Sequence, residues 1–308
     1  MQRLFFFGCI LHSPLSFFKV TAILKTKMLC KCIVFGLAWI LVYGTHRLVG
    51  QNIDQATHRA SFMFSYKTKC NQTAFAKEEI MYLDIGTFAT RYYGVNEVIR
   101  DSVKLAGIRQ GLSPHEIVEK CRNYRRGIKT TIYTNFLERS IQVTDGLIDY
   151  YCYEDQLVQP KWVMSQESKI IVGYYCKEAK ANYRGRNWTV YFTEQIAMSY
   201  GPWKLWGLPG MIVEAYDDKG YFHFLMQGFE SLKEQQPLVF KHKNLTGENY
   251  PTITKSEFQR LEKLFYRDFV EFTRLFIMEG KGSIILDQEQ KYRQFINEGG
   301  LSYIPLER

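Results

Sequence analysis

The chain has 308 residues, 46% apolar and 16% aromatic, which is ample for a packed core and excludes wholesale disorder. Its formal charge of +9 is unevenly placed: residues 1–50 carry six Lys or Arg and no acid, leaving only +3 for the remainder. A nucleic-acid partner is therefore not expected, because a basic footprint would have to lie in the folded part.

The leader comes first. Lys25, Lys27 and Lys31 precede the apolar run Ile33–Tyr43. A basic stretch before a short apolar segment fits a secretory signal peptide. A membrane span needs about 20 apolar residues, so this run is too short to be an ordinary one. Met28 is the expected true start and Gly50-Gln51 the expected cleavage point, with an uncleaved membrane anchor as the competing reading. Cys30 and Cys32 sit in the leader and do not count as a metal site. The expected organisation is a leader over 1–50 and a single β-rich domain over 51–308, exported to the periplasm or cell envelope or beyond the cell.

In the mature chain, His58–Lys69 alternates in part and predicts a first strand. Ile80–Ile85 and Phe88–Tyr93 predict a hairpin around Gly86. Ser113-Pro114-His115-Glu116 reads as a capping box opening a short helix to about Arg126, with Ile117, Val118, Cys121 and Tyr124 inward. Its basic end (Arg122, Arg125, Arg126, Lys129) reads as a solvated helix terminus, or as an anion site. Strands are then expected at Thr130–Phe136, Arg139–Thr144, Leu147–Tyr153, Lys161–Ser165, Ile170–Tyr175, Trp188–Thr193, Met211–Tyr216 and Tyr221–Met226. Asp145-Gly146, Arg184-Gly185 and Asp218-Lys219-Gly220 supply turn signals between them.

Gly201–Met211 is the least generic stretch, with three glycines, two prolines and two tryptophans. Leu208-Pro209-Gly210-Met211 predicts a type II turn, with glycine supplying a positive φ at the third position. Trp203 and Trp206 either pack a rigid corner or form an exposed binding lip. Thr254-Lys255-Ser256-Glu257 reads as a second capping box. It opens a long amphipathic helix to about Glu279, with Phe258, Leu261, Phe265, Phe269, Phe272 and Phe276 as a core-facing stripe. Ser283–Leu286 offers a last strand. Short strands without intervening helices indicate antiparallel pairing. The expected fold is mainly β: a curved antiparallel sheet or open barrel-like sandwich, one short helix and one long C-terminal amphipathic helix.

Trp162–Glu214 resembles the signature block of the GLPGLI family, secreted proteins of Bacteroidetes. The resemblance rests on Lys169–Ala179, Tyr183-Arg184-Gly185-Arg186, Trp188–Glu194, Gly201-Pro202-Trp203-Lys204 and Gly207-Leu208-Pro209-Gly210-Met211-Ile212-Val213-Glu214. Met211 stands where the family name reads Leu, a volume-conserving change. Tyr303-Ile304-Pro305-Leu306-Glu307 is similar to the family's usual ending. The resemblance implies export and carries over no catalytic residue. Trp203, Trp206, Gly207, Leu208, Pro209, Gly210, Glu214 and Arg186 are the resulting candidates for ligand binding. Asp101-Ser102-Val103 resembles an O-glycosylation acceptor of exported Bacteroidetes proteins, whereas the three N-glycosylation matches are read as chance.

Removing the leader leaves four cysteines, Cys70, Cys121, Cys152 and Cys176. An even number in an exported chain favours disulfides over buried thiols, and both over metal. His58, His115, His223 and His242 are dispersed, and the signatures of zinc peptidases, serine hydrolases, dinucleotide enzymes and P-loops are missing. No cofactor or metal is expected, and the Asp217-Asp218-Lys219-Gly220 loop has too few oxygen ligands for calcium. The expected function is non-enzymatic binding of a small molecule, peptide or envelope protein on the concave face of the sheet. The alternatives are a hydrolase of envelope glycans using Glu194 or Glu214, and an accessory of outer-membrane transport machinery.

Overall fold

The computed structural model describes residues 53–278 and 303–307, without the side chains of Val270, Thr273, Phe276, Ile277 and Met278. The expected leader and cleavage point, the expected strand Ser283–Leu286 and the Phe276 side chain lie outside the described residues. The strands are β1 (Gln55–Tyr66), β2 (Lys77–Ile85), β3 (Ala89–Gly94), β4 (Thr131–Asn135), β5 (Ser140–Gly146) and β6 (Tyr150–Gln156). They continue as β7 (Val163–Ile171), β8 (Tyr174–Tyr183), β9 (Arg186–Thr193), β10 (Met211–Asp217) and β11 (Phe222–Pro237). The helices are α1 (Val95–Arg109), α2 (Pro114–Arg122), α3 (Lys255–Arg267) and α4 (Phe269–Met278).

All eleven strands form one antiparallel sheet in the order β6-β5-β4-β3-β2-β1-β11-β10-β9-β8-β7. The chain walks outward from β1 to the β6 margin, crosses to β7 at the opposite margin, and walks back to β11. The crossing takes only residues 157–162. A flat sheet of this size is roughly 48 Å wide, and the seven steps from Gln156 to Val163 reach about 25 Å at most. The sheet is therefore curved. It stays open, because β6 and β7 do not pair with each other.

Strand alternation puts Phe62, Phe64, Trp188, Val190, Phe192 and Phe224 in one fully or nearly buried cluster on the concave face. Phe258 of α3 and Phe272 of α4 are buried in the same cluster, and Leu261, Phe265 and Phe269 pack against it. The C-terminal stripe thus serves as core, as expected. The single long helix does not: it is interrupted at Asp268, whose backbone leaves helical geometry (φ −142°, ψ 76°). Asp268 N–H bonds to Leu264 O, and its carboxylate accepts from Glu271 N–H at 3.1 Å. One residue ends α3 and caps α4, the local competition with helical bonding at which Asp excels.

Other expectations change in detail. The Ser113 capping box forms, but α2 stops at Arg122, and Val118 and Tyr124 point outward. Ile170–Tyr175 is not one strand, since Val172 (φ 51°) and Gly173 (φ 84°) make a tight turn between β7 and β8. Asp145-Gly146 ends β5 instead of turning. Helix α1 was not anticipated, because its buried positions include Glu97 and Gly107 while Val98 and Ile99 are exposed. No apolar stripe marks it.

Candidate functional site

The Gly201–Met211 loop is built from the inside out. Trp203 is only 7% exposed and takes a left-handed φ of 58°, rare for a residue with a side chain. It packs against Trp188 at 5.7 Å and Tyr183 at 6.0 Å between ring centres. Leu205 and Leu208 are buried beside the same core. Trp203 is thus a core residue and no binding lip. Trp206 is half-buried, edge-on to Phe136 at 5.2 Å, and its carbonyl accepts from Trp162 Nε1 at 2.8 Å.

The glycines have different reasons from those expected. Gly210 has no positive φ, so the Leu208–Met211 segment is not a type II turn. A Cβ there would lie 2.1 Å from Thr193 O and 2.6 Å from Thr193 C. The backbone of β9 needs that space. Positive φ falls instead on Gly207 (92°), over which Gln159 lies while its Nε2 donates to Gly207 O at 3.1 Å.

Beneath this loop is a buried ion network that sequence reasoning missed. The Lys204 side chain, 1% exposed, donates to Asp155 at 2.7 Å and to Glu307. Arg184 reaches Asp155 at 2.6 Å and Glu307 at 2.9 Å, and Lys255 bonds to both carboxylates as well. Burial alone would push Asp155 up, but Lys204, Arg184 and Lys255 together hold its pKa down to about 2. Glu307 is likewise held below the usual carboxylate range by Lys204 and Arg184 against its own burial.

Arg186 belongs to the same construction. It pairs with buried Asp217 at 2.8 Å and donates to the carbonyls of Leu306 (2.9 Å) and Pro305. Tyr303 stacks on Tyr266 at 4.0 Å and bonds to Glu262, which burial pushes up to about 7. Residues 303–307 are therefore the ligand of these basic side chains. The one signal for this in the sequence was the resemblance of Tyr303–Glu307 to a family's usual ending.

The carboxylates considered for hydrolysis lie elsewhere. Glu214 projects from the convex face of β10, between Lys169 at 2.6 Å and His223 at 2.8 Å. Burial opposes its ionisation, but the bonds from His223 and Lys169 prevail and lower its pKa. Glu194 is half-exposed and pairs separately with Lys177. Asp217 spends its second oxygen on the backbone N–H groups of Tyr221 and Phe222. Among the described residues no three His, Cys, Asp or Glu side chains converge as a metal site. The cysteines expected to form disulfides are all free thiols, Cys70 exposed and Cys121, Cys152 and Cys176 buried on separate elements.

Where the Gly201–Met211 loop reaches the surface, Gly207, Leu208 and Pro209 form one wall of an open groove of about 490 Å³. Gln159, Pro160, Lys161, Trp162 and Met164 form the other. The groove leads onto β7, which is exposed along most of its length, Ile170 to 75%.

No family model matches the chain, and no curated protein matches it. Solved structures similar to it include those of PNGF-II in its P21 and C2 space groups, at 12% identity and TM-scores of 0.41 and 0.42. The matches cover 67% of this chain and 32% of PNGF-II, so the chain spans about a third of that protein's length. Likeness of this degree assigns neither fold nor activity.

Proposed function

We propose that the protein is an exported envelope protein that binds a partner without catalysis, and that it takes an extended peptide segment in the groove beside β7. The observation that carries this reading is the groove itself, where Gly207, Leu208 and Pro209 face Trp162 and Met164 at an unpaired sheet margin. Its volume suits a ligand site, and an open strand edge offers backbone groups to an added strand. The concave face is a poorer candidate than the sequence suggested, because Phe62, Trp188, Phe224 and the helices α3 and α4 already fill it. Glycan hydrolysis gains no support: it needs two carboxyls facing one bond, whereas Glu214 is paired with Lys169 and His223 and Glu194 separately with Lys177.

The test is a native mass spectrum of the protein recovered from its own envelope, before and after denaturation. A bound peptide, lost on denaturation and missing from the Met164→Glu variant, is the expected result. A ligand-free mass, a bound species that is not a peptide, or one retained by Met164→Glu would sink the proposal.

A further inference from the structure

Helix α1 turns polar side chains inward and leaves Val98 and Ile99 outside, the reverse of what a helix lying on a core usually does. Its inner side is polar: Glu97 bonds to Tyr150, Asp101 takes Lys104 at 2.8 Å and Lys241 at 2.6 Å. Arg100 donates to the Cys121 and Tyr124 carbonyls at 2.7 and 3.0 Å, which ties the end of α2 to α1. Gly107 lets Ile117 of α2 approach, a Cβ there falling 2.8 Å from Ile117 Cγ1. The two helices are therefore one unit. Its outward stripe, at spacings of four, four and three, is Val98, Ser102, Ala106 and Arg109, with Ile99 alongside. Val98 is 47% exposed, Ile99 41%, and Val118 on α2 57%.

Charge identifies what such a surface would meet. Residues 95–129 contain eight Lys or Arg and four Asp or Glu, a net +4, whereas residues 51–308 together net +3. The rest of the mature chain is thus slightly acidic, and its positive charge is gathered on this unit. Arg109, Lys120, Arg122, Arg125 and Arg126 are all exposed. A second copy would bring +4 against +4. Exposed aliphatic side chains and exposed cations on one helical unit suit a layer that is anionic at its surface and apolar just beneath. We infer that the α1–α2 unit docks the protein on an anionic lipid surface, independently of the groove beside β7.

Hydrogen–deuterium exchange on the full chain tests this, using vesicles of phosphatidylcholine alone or mixed with phosphatidylglycerol. The leader is the same in every arm, so only differences at residues 95–126 are read. Exchange there should slow with phosphatidylglycerol vesicles and not with phosphatidylcholine, and added salt should reverse the slowing. One basic residue near an anionic surface is worth roughly fivefold in binding, so Arg109→Glu/Arg122→Glu/Arg126→Glu should weaken docking by about a hundredfold or more. Val98→Ser/Ile99→Ser should weaken it with folding intact, verified by an unchanged melting temperature. Equal slowing on both vesicle types, none on either, or slowing that needs no lipid would overturn the inference; the last would mark a protein surface instead.

Discussion

The two margins of the sheet have opposite fates. At β6 the backbone edge is engaged: Cys152 N–H donates to Pro251 O at 2.8 Å, and Ile253 N–H returns to Cys152 O at 2.9 Å. Tyr250 packs tilted against Tyr150 at 5.1 Å, and Phe258 of α3 lies 5.0 Å from Tyr153. Asp155 at the end of β6 then anchors Lys204, Arg184 and Lys255. At β7 no described residue covers the edge, and Val163, Met164 and Ile170 are exposed. Its register slips between Met164 and Ser168, and Glu167 and Lys169 charge it. Bulges and charges of this kind discourage indiscriminate strand pairing while leaving an edge available. One margin holds the fold together; the other is left for something else.

The largest test of this contrast is Lys204→Met. It strips one of three cations shared by Asp155 and Glu307, and with it two buried hydrogen bonds to charged groups, together worth about 3–5 kcal/mol. Chemical denaturation should show a loss of that size, and a loss below about 1 kcal/mol would mean the network is not structural. Phe258→Ala follows at about 3 kcal/mol, from a large side chain removed beneath the β6 cover. Hydrogen exchange of the Cys152 amide should quicken in step with it.

The third test uses pH. Glu262 stands at about 7 in the folded protein against 4.5 for a free carboxyl, so the unfolded chain ionises first as pH rises. Stability from this group is complete below the unfolded value and drains away from there up to about pH 7, by about 3 kcal/mol. Melting temperature should fall over that window, and Glu262→Gln should flatten the slope. Asp155, held at about 2, contributes stability that is lost only in strong acid. The smallest effect belongs to the open margin: Ile170→Thr should change stability by no more than about 0.5 kcal/mol. A large loss there would show that β7 is covered after all.

Much of the fold was legible locally. Strand alternation, the Ser113 capping box and the aromatic stripe from Phe258 to Phe272 each depend on neighbours two to four residues away. What failed depended on distant partners. Helix α1 hid because tertiary contacts bury its polar side, so its apolar residues form no inward stripe. Gly210 looked like a turn glycine, and only the backbone of Thr193 revealed that it is a spacing glycine. The candidate site was half legible: Gly207, Leu208 and Pro209 do line a groove, whereas Trp203 is core and Arg186 holds the chain's own tail.

The sequence by itself determined the class of this protein: many short antiparallel strands, and a C-terminal apolar stripe that must be buried. Both follow from side-chain period, which is a property of neighbours along the chain. Tertiary structure decided which charges are buried and which edge is left open. Arg184, Lys204, Lys255, Asp155 and Glu307 come from positions up to 152 residues apart, and no local pattern marks a charge whose partner arrives from another strand. The burial of these charges follows from the short crossing that curls the sheet and from the tail that fills its end.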